Sequence, residues 1–121
     1  MLATRTQRMA ETAFAVVSNR RPNAQTSDAK KYRSFALGFP CLIHTAGLCQ
    51  AVALAQADSG QGENVLADVV TTMQAVDSGT IVDLDSLAKL SREEGPIEYM
   101  RLTRLAVQAA SLVKRYVEVL K

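Results

Sequence analysis

SFALGFPCLIHTAGLCQAVALAQA, residues 34–57, contains no Asp, Glu, Lys or Arg. A segment this apolar is either a membrane span or the interior of a folded domain. A span needs about 20 predominantly apolar residues in an unbroken run. Here Gly38, Pro40, His44, Gly47, Gln50 and Gln56 interrupt the run, so it reads as buried helix inside a domain. Upstream, Tyr32, Phe35, Ala36 and Phe39 fall at i, i+3, i+4 and i+7 and share one helical face. Gly38 and Pro40 are expected to end or kink that helix, because proline lacks the donor and clashes with the preceding turn. Pro40 then suits the first turn of a short segment, Cys41 to Ala46. Gly47 is a C-terminal stop, and a further helix follows over 47–57.

The same alternation of apolar stripe and breaker runs through the rest of the chain. A first helix over 2–20 buries Met9, Ala13, Val16 and Val17. The stretch RRPNAQTSD is a loop, with Ser27 or Asp28 placed to cap the second helix near Asp28. DSGQGEN, residues 58–64, is a second loop. Val65, Leu66, Val69, Val70, Met73 and Val76 then line one side of a fourth helix, ended by DSG at 77–79. A short helix carries Leu84, Leu87 and Leu90, capped by Asp83 or Asp85, although TIVDL just before it could be briefly extended. A break at Gly95 and Pro96 leads into the longest helix, 96–120. There Leu105, Ala109, Leu112, Val113, Tyr116 and Leu120 form an apolar strip, widened by Leu102, Ala106 and Val117. The expected fold is all-α: one compact bundle of five to six helices spanning residues 1–121 as a single domain.

Composition supports this. Eighteen of 121 residues are Ala, against six Gly and three Pro, the balance that favours helix. Hydrophobic residues make up 48% and charged residues 21%, enough apolar surface for a core without disulfides or metals. The first residues, MLATRTQRMAET, contain no apolar stretch of signal-peptide length, which points to the cytoplasm, where thiols stay reduced. Cys41 and Cys49 are expected as small buried hydrophobes. No Cys or His cluster has metal-ligand spacing, so neither a metal nor another cofactor is expected.

Charge is unevenly distributed. Residues 1–33 carry seven basic and two acidic side chains, residues 58–100 two basic and nine acidic, and residues 101–121 five basic and one acidic. If the first and last helices pack together, their basic faces could merge into a positive surface, with an acidic one built by the middle segments. A positive groove attracts a phosphate backbone through counterion release, largely without reading sequence. Opposed charged faces also suit head-to-tail stacking of copies. The alternative is that the charges simply solvate a helical surface.

No GxSxG, HExxH, P-loop or GxGxxG motif occurs. Asp83 with Asp85, and Glu93 with Glu94, read as solvated or helix-capping acids. His44 is the only histidine. A histidine phosphotransfer domain is the one enzyme-like possibility, but such domains place a Lys and then a Gly just after the reactive histidine. Here Gly47 follows at the third position with no basic neighbour. A buried or boundary role for His44 is expected instead.

Residues 31–55, KYRSFALGFPCLIHTAGLCQAVALA, resemble the hallmark segment of the small subunit of type III-B CRISPR effector complexes, the Cmr family. Tyr32, Arg33, Ser34, Phe39, Pro40, Leu42, Ile43, Gly47, Leu48 and Gln50 occupy its pattern. Glu98, Tyr99, Arg101, Thr103, Leu112, Lys114 and Arg115 match the family's pattern in the last helix. Ala46 stands where the family often has Asn, and the 58–64 loop looks longer and more Gly-rich than in many members. The resemblance implies an all-α subunit without catalytic activity. It implies several copies along an RNA-guided effector complex, beside the backbone subunit that cleaves, helping to hold target RNA against the guide RNA. In that role Lys30, Lys31 and Arg33, with Arg101, Arg104, Lys114 and Arg115, are the candidate phosphate contacts, and Arg5, Arg8, Arg20 and Arg21 are secondary. Pro40 and Gly47 are assigned to backbone shape, and Tyr32, Leu42, Ile43 and Leu48 to the core. The rival reading is a helical protein-interaction adaptor without a nucleic-acid role.

Overall fold

The computed structural model describes residues 4–21, 24–58, 60–77, 84–93 and 95–120. Among them it contains six helices and no strand: α1 (Arg5–Arg20), α2 (Ser27–Ala46), α3 (Leu48–Ala57), α4 (Gly62–Gln74), α5 (Leu84–Glu93) and α6 (Pro96–Val119). The expected Asp83 cap, most of the TIVDL segment and the end of the DSG break lie outside the described residues. Asp85 lies within α5, one residue past its first.

Local chemistry sets the helix ends. Thr4 and Gln7 cap each other reciprocally at the start of α1: Gln7 N donates to Thr4 Oγ1 at 3.1 Å, and Thr4 N donates to Gln7 Oε1 at 2.8 Å. This satisfies two of the backbone groups that a helix start leaves without partners. Thr26, not Ser27 or Asp28, is the N-cap of α2, accepting from Ala29 N at 3.1 Å. Asp28 sits instead in the first turn, where a carboxylate complements the helix dipole. The loop expected over 58–64 is shorter, because α4 begins at Gly62. Asp58 accepts from Gly60 N and Gly62 N at 3.1 and 2.8 Å and closes the turn. A Cβ on Gly62 would stand 2.6 Å from Asp58 Cβ and 2.9 Å from the Ala55 carbonyl oxygen, so only glycine fits there.

Helix α2 does not end at Gly38–Pro40. It runs unbroken for 20 residues with Pro40 inside. Pro40 leaves the Ala36 carbonyl without its helical donor, at a cost of about 3 kcal/mol. The compensation lies in the stripe Tyr32, Ala36, Phe39 and Ile43, each no more than 1% exposed. It keeps one helical phase across the proline, and burial of each large member contributes roughly 1.5–3 kcal/mol. The chain turns at Gly47, whose φ of 88° and ψ of 158° suit glycine almost alone.

The core centres on α6, which packs most extensively on α2 and then on α1 and α4. Its buried line is Leu102, Leu105, Ala106, Ala109, Ala110, Val113 and Val117. Leu112, Tyr116 and Leu120, expected in the main strip, lie on its partly covered margin. Met9, Ala13 and Val17 of α1 and Val65, Leu66, Val69, Val70 and Met73 of α4 close the core from the other sides. The cysteines do not behave as buried hydrophobes: Cys41 is exposed and Cys49 only partly covered, and both are free thiols. No helix among the described residues is long and apolar enough to cross a membrane.

Candidate nucleic-acid interface

Helix α6 begins beside the end of α2. The Tyr99 hydroxyl accepts from Cys49 N at 3.0 Å and lies 3.2 Å from where a Cβ on Gly47 would stand. Because α6 also packs on α2 more than on any other helix, it runs back along it. At 1.5 Å per residue, Lys114 lies about 22 Å up α6 from Tyr99, and Lys31 about 24 Å back along α2 from Gly47. Lys114 and Arg115 on α6, and Lys30, Lys31 and Arg33 on α2, thus each stand toward the end of their helix away from the Tyr99–Gly47 contact, with Arg115 beside Thr6 and Met9 of α1 and Lys31 beside Asp58 and Gly60.

The candidate cations differ in their surroundings. Lys30, Lys31, Arg104 and Arg115 are exposed, and Lys114 and Arg33 are partly covered. Lys31 and Arg33 are two residues apart, which puts them roughly 160° apart around α2. They face opposite flanks and do not form one line. Arg101 lies at the far end of α6, about 20 Å from Lys114, and is held within the protein. Its Nε donates to Glu98 Oε1 at 2.9 Å, its Nη2 also contacts that oxygen, and its Nη1 lies 2.8 Å from Asp77 Oδ2. The last contact is an ion pair without hydrogen-bond alignment. Hydrogen bonding to Glu98 first, and then the ion pair with Asp77, raise the Arg101 pKa, and the bond from Arg101 lowers that of Glu98.

Of the secondary candidates, Arg5, Arg8 and Arg21 are exposed. Arg20 is engaged. Its Nε and Nη2 donate to Asp68 Oδ2 and Oδ1 at 2.9 and 3.1 Å, and its guanidinium lies 5.8 Å from the centre of the Tyr32 ring. The Tyr32 hydroxyl donates to Asp68 Oδ2 at 2.6 Å. Hydrogen bonding to Asp68 raises the Arg20 pKa. Burial first, and then the charge of Asp68, push the Tyr32 phenol well above its usual range. Tyr32 is therefore a core residue, as expected, and also the third member of a buried polar cluster. Sequence reasoning overlooked Asp68, and the signal was its position: it falls three residues after Val65 on the buried face of α4.

His44 is exposed in the last turn of α2, not buried, because its position on the helix lies well off the Tyr32–Ile43 stripe. It makes no hydrogen bond or ion pair among the described residues. No group of three His, Cys, Asp or Glu side chains among the described residues could hold a metal ion.

These features define a small all-α bundle with exposed cations along its first, second and last helices. The family model described as CRISPR-associated protein (Cas_Cmr5) matches residues 5–120. The chain is 31% identical to the CRISPR system Cmr subunit Cmr5 of Thermus thermophilus over 119 residues, covering 98% of this chain and 97% of that protein. It is also similar to the crystal structure of a CRISPR-associated Cmr5 family protein from the same organism, with a TM-score of 0.84, 30% identity and 98% of each chain covered. The chain belongs to the Cmr5 family, the small subunit of the type III-B Cmr system.

Proposed function

We propose that this protein is a non-catalytic subunit of the cytoplasmic Cmr effector complex, present in several copies beside the backbone subunit. There it helps hold target RNA against the guide RNA in antiviral defence. The observation that carries the RNA-binding part is that Lys30, Lys31, Arg104, Lys114 and Arg115 form no ion pair among the described residues. Their charges are available to phosphate. Lys30 and Lys31 share one end of the α2–α6 pair with Lys114 and Arg115. Arg33 belongs to the same end, and Arg101 contributes by fixing the start of α6.

The test is the salt dependence of single-stranded RNA binding by the full chain and by a variant lacking the charges of Lys31, Arg33 and Lys114. Each lost phosphate contact lowers the slope of log K against log salt by about 0.7, equally for unrelated RNA sequences. An unchanged slope in the triple variant overturns the RNA role and leaves a protein-interaction subunit.

A further inference from the structure

A groove of about 550 Å³ lies between α2 and the α3–α4 turn. Phe35, Phe39 and Leu42 form its apolar wall, and Lys31, Ser34 and Asp58 stand at its rim. Phe35 and Phe39 are tilted against each other with ring centres 5.4 Å apart. The stem of Lys31 packs over the turn, its Cδ 3.5 Å from where a Cβ on Gly60 would stand, while the residue as a whole stays exposed. Asp58 is turned toward the amides of Gly60 and Gly62. The rim thus carries two opposite charges: the Asp58 carboxylate, held by those amides through one oxygen, and the Lys31 ammonium, which has no ion-pair partner among the described residues.

Gly38 lines this groove, and the fold does not explain it. It is in the middle of a helix, where glycine is the poorest choice short of proline. Its backbone is not in the left-handed region. A Cβ added to it would meet nothing within 4 Å. Gly47 and Gly62 each have a structural reason to be glycine, and Gly38 has none among the described residues. What a side chain at position 38 would obstruct is the groove.

We propose that this groove receives one unstacked nucleobase of single-stranded RNA, laid against Phe35 and across Gly38, with Lys31 on the adjoining phosphate. This rests on the RNA-binding role proposed above and adds a contact that a purely electrostatic surface lacks. Aromatic wall and rim cation are the pairing by which sequence-tolerant single-strand sites hold a base. Gly38 supplies the close approach of a flat ring to the helix backbone.

The test compares the full chain with Gly38→Leu and with Lys31→Ala, using a uridine oligoribonucleotide and the same backbone carrying abasic sites, at low salt. Gly38→Leu fills the groove without touching core or charge. It is expected to weaken binding of the uridine oligomer about five-fold or more while leaving the salt slope as in the parent. Binding of the abasic strand is expected to be unaffected by Gly38→Leu and weakened by Lys31→Ala. Equal binding of both strands by parent and Gly38→Leu overturns the base site and leaves the phosphate contacts standing. Absence of RNA binding by the parent overturns both readings. Unchanged RNA binding by Gly38→Leu, with loss of that variant from the assembled complex, assigns the groove to a protein partner and overturns the base site.

Discussion

Arg20 and Asp68 meet end-on across α1 and α4, with two guanidinium nitrogens on two carboxylate oxygens at 2.9 and 3.1 Å. The two side chains are unequally covered, at 33% exposure for Arg20 and 6% for Asp68. Water can therefore replace Asp68 around Arg20 but cannot replace Arg20 around Asp68. Arg20→Ala leaves a buried carboxylate with only the Tyr32 hydroxyl and should lower unfolding free energy by about 2–4 kcal/mol. Tyr32→Phe keeps the ring and loses one hydrogen bond to a charged acceptor, about 1–2 kcal/mol. Chemical denaturation of the two variants checks that order.

Tyr32 also predicts a pH dependence. Its phenol titrates near 10.0 in the unfolded chain and higher when folded. The folded state thus holds the proton more tightly, and the resulting stabilisation is complete below about pH 10. It is lost as pH rises toward the folded value. The stability difference between the parent and Tyr32→Phe should be flat through neutral pH and shrink above about pH 10. A difference that stays constant into the alkaline range counts against the buried cluster.

Three glycines should respond differently to the same change. Gly62→Ala forces a Cβ to 2.6 Å from Asp58 and 2.9 Å from a backbone carbonyl and should destabilise or displace the turn. Gly47→Ala meets a φ of 88°, with a cost of about 1–3 kcal/mol. Adding Tyr99→Phe to it removes the 3.2 Å contact but not the backbone strain, so the double variant should recover little. Gly38→Ala should stabilise the isolated chain by about 0.5–1 kcal/mol. Thermal melts of the three single variants test the ordering directly.

The course of α2 shows how much of this was legible in the sequence. Tyr32, Ala36, Phe39 and Ile43 keep one phase across Pro40, so the continuity of the helix was already present in the positions of its apolar residues. Gly38 and Pro40, weighed as local punctuation, suggested a break, because their cost is local and the gain from core burial is tertiary. Gly47 was readable as a stop for the converse reason: its conformation is a property of one residue. The candidate cations were visible as a charge bias between segments. Which of them the protein uses internally was not. Asp68 lies 48 positions from Arg20 and Asp77 is likewise remote in sequence from Arg101, and only the packing of the helices brings each pair together. The family pattern around Tyr99 and Arg101 likewise marks a joint that fastens the start of α6 as well as any surface.

That joint separates Arg101 from the other candidates and yields a prediction in which structure and binding diverge. Arg101 ties Glu98 and Asp77 together at the start of α6, whereas Lys114, toward the other end of the helix, has no ion pair among the described residues. Arg101→Ala should lower stability only slightly, since the pairs are partly exposed and screened by water, and leave the salt slope of RNA binding unchanged. Because the Glu98 carboxyl pKa is held down by Arg101, its contribution is present above the unfolded value of 4.5 and is lost as pH falls through the lower, folded one. The stability advantage of the parent over Arg101→Ala should therefore shrink in acid. Lys114→Ala should do the reverse: leave stability and its acid dependence as they are and flatten the salt slope by about 0.7. Parallel denaturation and RNA titrations on the two variants distinguish an arginine that holds the helix from a lysine that meets phosphate. A flattened slope in Arg101→Ala with none in Lys114→Ala would move the RNA path to the opposite end of α6.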